Sequence, residues 1–431
     1  MKEPIGVGLI GLGTVGAGVV QLIGDAPCSM RRRAISFRLA RVAVRDLGKE
    51  RPVEVDAALL TDDAMAVVED PAVQLVVELT GAAPSYDWIR AALERGKDVV
   101  TANKALLAEN GAELYELAQR NGAELMFEAS VAGGIPIIRS LRTGLVANRV
   151  ESLYGILNGT TNYMLTQMSR GAGTYAEILK EAQDKGYAEP DPTMDVSGKD
   201  AAQKLAILCR IAFHTACTGE DVFCEGIESI EPRDIEDARE LGYTVKLLAV
   251  AKREGEGVEA RVHPVMVPSQ AQMANIHDEY NAIEVEGSAV GTQVFSGKGA
   301  GQMPTASAVV SDMVEIAERR AAGASPAVGD MVLGDEATCL ADMDAIEMRY
   351  FVRLRVADRP GVLQRITHIL ADEKISIATV MQKERDLQGG SVPLVIVTHE
   401  AREDAMQRAR RALDGLEEVA EAVRLIRMEE L

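Results

Sequence analysis

Apolar residues fall into short unbroken runs in the first third of the chain and into alternating stretches beyond it. Ile5 to Ile10, "IGVGLI", is a continuous run that fits a strand buried on both faces. Val19, Val20 and Ile23 then recur at helical spacing. The same cycle repeats. "FRLARVAVRD" (37–46), "VQLVVELTG" (73–81), "KDVVTANKALLA" (97–108) and "AELMFEASVAGGIPII" (123–138) each contain a strand, and "SYDWIRAALERG" (85–96) is a helix stopped by Gly96. Repeated β–α alternation predicts a doubly wound parallel sheet, which gathers ligands at the C-terminal ends of its strands.

The pattern changes after Arg149. "RVESLYGILNGTTNYMLTQM" reads as a strand turning into a helix, and "VEARVHPVMVP" and "NAIEVEGSAVGTQVFSG" read as strands without a helix each. They predict an open, mostly antiparallel sheet, able to cover a cleft and to serve as an oligomer interface. A helix follows in "ASAVVSDMVEIAERRAAG", then a stretch rich in Gly, Pro and Asp, "ASPAVGDMVLGDEATC", which reads as a linker. The last segment has the order β–α–β–β–α–β, a ferredoxin-like arrangement.

The length of 431 residues suits about three domains, and 47% hydrophobic residues allow sizeable cores. A net charge of −20 argues against nucleic-acid or anionic-membrane partners, which call for a basic face. No apolar run reaches spanning length, and glycines interrupt the N-terminal apolar stretch, so no signal peptide or membrane span is expected. The five cysteines (Cys28, Cys209, Cys217, Cys224, Cys339) have no CxxC spacing, which fits a reducing, cytoplasmic setting.

Gly11, Gly13 and Gly16 form GxGxxG between the first strand and its helix. The first permits a tight turn, the second a close approach to a pyrophosphate, the third close helix–strand packing, and the helix start at Thr14 and Val15 offers free N–H groups. The alternative is a glycine-rich turn with no ligand. At the end of the next strand, Arg45 and Lys49 suit the 2′-phosphate of NADP, whereas Asp46 suits the free 2′-hydroxyl of NAD. Arg45 lies nearest the strand end and tilts the reading to NADP; the plainer alternative is a solvated strand end. Thr80, Thr101, Lys104 and Glu128 also fall at strand ends. A cation is disfavoured at a helix start, so the position of Lys104 points to an anionic ligand beside it.

In "EPDPTMDVSGKDAAQKLAIL" (189–208), Lys204 follows Asp200 by one helical turn. As a bare surface pair this adds only about 0.3–0.5 kcal/mol to a helix. Ser197 reads as the N-cap, with Asp200 at the capping-box position, and Ala201, Leu205 and Leu208 as the buried face. None of the five histidines lies near these motifs. A lysine whose pKa is lowered by burial or by a neighbouring cation can do their proton chemistry.

Six stretches, "GLGTVG", "TANKALLA", "FEASVAGGIPI", "GILNGTTNYML", "GYAEPDPTMDVSGKDAAQKL" and "GKGAGQMPTASAVVSD", together resemble the homoserine dehydrogenases along essentially the whole chain, in the monofunctional form. "DRPGVL" (358–363) resembles the turn of an ACT domain. The resemblance implies reversible hydride transfer between NAD(P)H and aspartate 4-semialdehyde, giving L-homoserine. It implies Lys204 in proton transfer with Lys104 as the second active-site lysine, and Glu189, Asp195 and Asp200 as substrate-binding acids. It also implies a Na+ or K+ loop at Glu128, Val131, Gly133 and Ile135, mostly through carbonyls, and a cofactor contact at Gly301. The expected architecture is a Rossmann-type domain (1–135 with about 299–322), an α+β catalytic and dimerisation domain (136–298), a linker (323–346) and an ACT domain (347–431). Asp358, Gly361, Val362 and Leu363 would bind an effector such as threonine, or the module would only dock or dimerise. A homodimer or homotetramer is expected. The rivals are a related amino-acid dehydrogenase and a non-catalytic, cofactor-binding amino-acid sensor.

Overall fold

The first third forms β1 (Ile5–Ile10), β2 (Phe37–Ala43), β3 (Leu60–Thr61), β4 (Leu75–Glu78), β5 (Asp98–Thr101) and β6 (Leu125–Met126); β1, β4, β5 and β6 are buried along nearly their whole length, while β2 and β3 at one edge are partly exposed. The computed structural model describes residues 3–25, 27–324, 338–382 and 391–431; most of the stretch read as a linker, 325–337, lies outside them. All strand pairs of this sheet are parallel, in the order β3-β2-β1-β4-β5-β6. The pleat sends neighbouring residues to opposite cores: Leu75 and Val77 to one, Val76 to the other.

One of these two cores is completed from far along the chain. Val7, Leu9, Leu75, Val77 and Val100 pack with Val309, Met313 and Ile316 of the helix Gln302–Ala321. That helix crosses the first helix, Thr14–Gly24, at Gly18, where a Cβ would lie 2.8 Å from the Cβ of Ala306. Strand β2 stops at Ala43 rather than running to Asp46. The Asp46 carboxylate accepts the N–H of Gly48 at 2.9 Å and turns the chain.

The alternating stretches form the second sheet: β7 (Val150–Ile156), β8 (Phe223–Cys224), β9 (Tyr243–Glu254), β10 (Gly257–Pro268), β11 (Tyr280–Gly287) and β12 (Gly291–Lys298). Its order is β12-β11-β7-β9-β10, antiparallel except for the short β8 alongside β10. The last segment gives β13 (Glu347–Ala357), β14 (Ile377–Gln382), β15 (Ser391–Thr398), β16 (Ala401–Arg402) and β17 (Arg424–Met428), with helices Val362–Asp372 and Glu403–Asp414. The order β17-β13-β15-β14 is the ferredoxin-like one.

This segment is more than an appended module. Strand β17 pairs in parallel with β10 at Val265↔Arg427 and Met266↔Met428, so the two sheets run on as one. Charged side chains fill the seam. Arg261, with 0% of its surface exposed, donates to Glu259 at 3.1 Å, to the His263 ring at 2.7 Å and to Glu429. Lys252 reaches Glu429 at 2.7 Å, and Arg427 binds Glu403 and Glu225.

Candidate active site

At the C-terminal edge of the parallel sheet the three glycines serve different ends. Gly11 has φ +101°, and its N–H donates to Ala43 O at 3.0 Å. A Cβ on Gly16 would lie 2.2 Å from Gly11 O, so the helix sits hard against the strand end. Gly13 has open space where a Cβ would be, and it caps the helix without a side chain. Thr14 and Val15 follow in the first turn, which carries no acid. An anion fits there: the cradle is open, and the helix start directs N–H groups at it. Arg45 and Lys49 are exposed nearby, while the carboxylate of Asp46 is engaged by its own turn.

Thr80 and Thr101 turn inward. Both hydroxyls donate to the fully buried Glu78, at 2.7 and 2.9 Å, and tie the ends of β4 and β5 together. What these residues can offer a cofactor is backbone. Lys104 is the first residue of the helix Lys104–Arg120, capped by the Asn103 side chain on Leu106 N–H at 3.2 Å.

The anion beside Lys104 in the structure is a side chain, Asp200. Its Oδ1 lies 3.2 Å from Lys104 Nζ, and its Oδ2 lies 2.7 Å from Lys204 Nζ. Lys204 also donates to Leu157 O at 2.7 Å. Its side chain is only 13% exposed, against 36% for Lys104. Burial by itself would raise the pKa of Asp200, but the charges of Lys204 and then Lys104 outweigh it and hold the group at about 2. The helix does not need this pair. Leu205 and Leu208 are fully buried, each worth about 1.5–3 kcal/mol, several times an exposed ion pair.

The helix Lys199–Phe213 starts differently from the expected capping box. Gly198, at φ +83°, is the N-cap, and Ser197 ends the preceding short helix Thr193–Val196 with its hydroxyl buried and unpartnered. Asp200 closes no capping box with Ser197, whose N–H already donates to Thr193 O at 3.1 Å, and its carboxylate turns instead to the two lysines.

Asn158 is a residue that the sequence reading missed. It stands at the end of β7 as N-cap of the helix Gly159–Ser169, its Oδ1 accepting the N–H of Thr161 at 2.9 Å. Its Nδ2 donates to Asp195 Oδ1 at 2.7 Å and to Asp200 Oδ2 at 2.9 Å. Thr160 Oγ1 also lies 3.2 Å from Asp195. Burial raises the pKa of Asp195 and the neighbouring Asp200 raises it further, against the Asn158 and Thr160 hydrogen bonds. An asparagine after an apolar strand and before a helix was the available signal. Glu189 is exposed, and its carboxylate makes no bond within the protein among the described residues.

The Glu128 carboxylate accepts the N–H groups of Ile138 and Arg139, both at 2.8 Å, so it caps the short helix Ile137–Arg139. The Ile135 carbonyl accepts Ile137 N–H at 2.8 Å. Val131, Gly133 and Ile135 belong to the turn packed on the returning chain, where Gly134 N–H meets Lys298 O at 3.0 Å. Gly301, at φ +123°, caps the Gln302–Ala321 helix. In the last segment Gly361, at φ +91°, caps the helix Val362–Asp372; Val362 lies in the core, Leu363 is exposed, and Asp358 stands ahead of the turn.

Residues 11–128 match the NAD binding domain of homoserine dehydrogenase, 136–314 the homoserine dehydrogenase family and 350–415 the ACT domain. Homoserine dehydrogenase of Mycobacterium tuberculosis is 42% identical over 438 residues, covering 99% of this chain and 98% of that protein. That of Pseudomonas aeruginosa is 40% identical with 100% of both covered. The crystal structure of a homoserine dehydrogenase from Thiobacillus denitrificans matches with a TM-score of 0.92 at 43% identity, covering 99% of each chain. The Staphylococcus aureus enzyme matches at 0.78 and 32%, with 100% of each chain covered.

Proposed function

The chain belongs to the homoserine dehydrogenases, a family of oxidoreductases, and on that premise we propose how its own residues carry the reaction. L-Homoserine binds between the edge of the parallel sheet and the helix Lys199–Phe213. Its α-ammonium is received by Glu189 and Asp195, and its hydroxyl faces the lysine pair. Lys204 takes the hydroxyl proton as hydride leaves carbon, and in reverse its ammonium polarises the aldehyde and returns the proton. Lys104 stabilises the negative charge that builds on oxygen. Asp200 fixes both lysines and stays ionised, its pKa held at about 2. When bound, the nicotinamide supplies or accepts the hydride.

One observation carries this reading: a single buried carboxylate is shared by two ammonium groups that still have unused N–H donors. With L-homoserine and NAD or NADP, the reduced-nicotinamide absorbance should rise. Intact cofactor binding with no reduction by either cofactor would turn the assignment to the sensor reading, and turnover of a different amino-acid substrate in place of homoserine would turn it to a related dehydrogenase.

The finer assignments rest on the same premise. NADP is the preferred cofactor, with Arg45 and Lys49 on its 2′-phosphate, and Gly11, Gly13, Thr14, Val15, Gly16 and Gly301 around it. Thr80, Thr101 and Lys104 border it. Carbonyls of Glu128, Val131, Gly133 and Ile135 hold Na+ or K+. Threonine acts at the turn Asp358–Leu363. The domain limits are those expected from the sequence, and the enzyme works in the cytoplasm as a homodimer or homotetramer.

A further inference from the structure

A cleft of about 330 Å³ opens where the ferredoxin-like segment meets the middle of the chain. Arg410, Arg424 and Arg427 line it from one side, and Glu225, Gly226 and Glu228 from the other. Most of its charges are spent. Arg427 binds Glu225 at 2.6 Å and Glu403 at 2.5 Å, and Arg424 binds Glu231 at 2.5 Å. Two are not. Arg410 makes no hydrogen bond or ion pair among the described residues, and its Nε is buried without a partner. Glu228 is exposed to the cleft and likewise unpaired among the described residues.

An unpartnered buried guanidinium nitrogen costs free energy unless something arrives to bond it. The fork of Arg410 matches a carboxylate, and Glu228 matches an ammonium. We propose that this cleft binds a small zwitterion, a free α-amino acid, with its carboxylate on Arg410 and its ammonium on Glu228. The site is separate from the turn Asp358–Leu363, because its walls come from the helix Glu403–Asp414, from β17 and its approach, and from residues 225–229.

The floor of the cleft touches the turn that leads into the helix Lys199–Phe213. A Cβ on Gly226 would lie 2.2 Å from Val196 O and 2.7 Å from Ser197 Cα. Ile227 N–H donates to Val196 O at 2.9 Å, and Cys224 Sγ to Ser197 O at 3.1 Å. The Val196–Gly198 turn leads directly to Asp200. A ligand that shifts residues 225–228 therefore presses on the backbone that aims both lysines.

Calorimetry on the full chain tests the site, using alanine, serine, threonine, valine and methionine in turn, with acetate and methylammonium as half-ligands. At least one amino acid should bind at or below about 10 mM. R410Q and E228Q should each weaken that binding about tenfold or more, R410K should weaken it less than R410Q, and D358A should retain it. Neither Arg410 nor Glu228 is paired among the described residues, so these variants should melt with the parent. No binding by any of the five, binding of acetate alone as tight as the amino acid, or binding that survives R410Q and E228Q but is lost in D358A would each overturn the proposal.

Discussion

Asp200 and Glu429 are both buried carboxylates that meet two cations, yet their surroundings differ in what is left over. Glu429 sits in the seam between the sheets, against Lys252 and Arg261. Arg261 spends donors on Glu259, His263 and Glu429, and Lys252 also faces Glu259 at 3.5 Å and the ring of Tyr154 at 5.5 Å. Asp200 holds Lys204, which uses two of its three N–H donors, and Lys104, which uses one. In the seam two cations meet two carboxylates, Glu259 and Glu429, so the cluster offsets the cost of burying its own charges. At Asp200 two cations share a single carboxylate, which leaves a positive charge over. The balance of charge, two cations on two carboxylates against two cations on one, separates the seam from the Asp200 cluster.

The largest expected effect comes from the cluster of Lys104, Asp200 and Lys204. Lys204→Ala should lower kcat by roughly 10²–10⁴-fold while cofactor affinity, read by fluorescence titration, stays near the parent value. A mutant with parental turnover would remove Lys204 from the chemistry. Next, Arg261→Met leaves Glu259 and Glu429 buried with too few cations. Breaking such a pair costs about 3–5 kcal/mol, so the thermal midpoint should fall by several degrees while kcat at room temperature holds. Asp200→Asn reverses that signature. Losing the shared anchor of two lysines should cost about 10²-fold in kcat/KM, with a smaller loss of thermal midpoint than Arg261→Met. If the two variants lose rate and stability in the same proportion, the contrast between the clusters fails.

The smallest effect is a pH slope. Burial first, then the charges of Arg427 and Arg261, holds the His263 pKa well below its ordinary value of 6.5. The folded protein therefore leaves this ring neutral when the unfolded chain protonates it. The unfolded state binds more protons below about pH 6.5, so stability falls there by up to about 1.4 kcal/mol per pH unit from this group. His263→Gln should flatten the decline of the melting temperature between about pH 6.5 and 5. An unchanged slope would assign the acid sensitivity to other groups.

The doubly wound sheet was legible because its evidence is local. Strand, glycine turn and helix follow one another within about twenty residues, and the pattern of Gly11, Gly13 and Gly16 has a steric reason at each position. The lysine–aspartate pair was legible as helical spacing, but its meaning was not, since Lys104 joins it from a distant strand end. Ser197 was misread as a cap because the capping-box rule sees only spacing and cannot see the lysines that occupy Asp200. Asn158 was passed over because a capping asparagine is common, and its second hydrogen-bonding duty depends on residues 37 and 42 positions away. The seam was illegible for the same reason. Arg261 and Glu429 lie 168 positions apart, and nothing in either strand shows that β10 accepts β17 as its neighbour.

The helix Gln302–Ala321 has a consequence for biosynthesis. Val7, Leu9, Leu75, Val77 and Val100 lose their cover without Val309, Met313 and Ile316. A ribosome that has released only the opening third of this polypeptide therefore exposes one bare apolar face of a nearly finished sheet, and must add some two hundred residues before its cover emerges. At about 5–20 residues per second that interval lasts on the order of ten to forty seconds, long enough for a chaperone to engage. A fragment ending at residue 150 should bind a hydrophobic dye strongly, and adding the 302–321 peptide in trans should quench it.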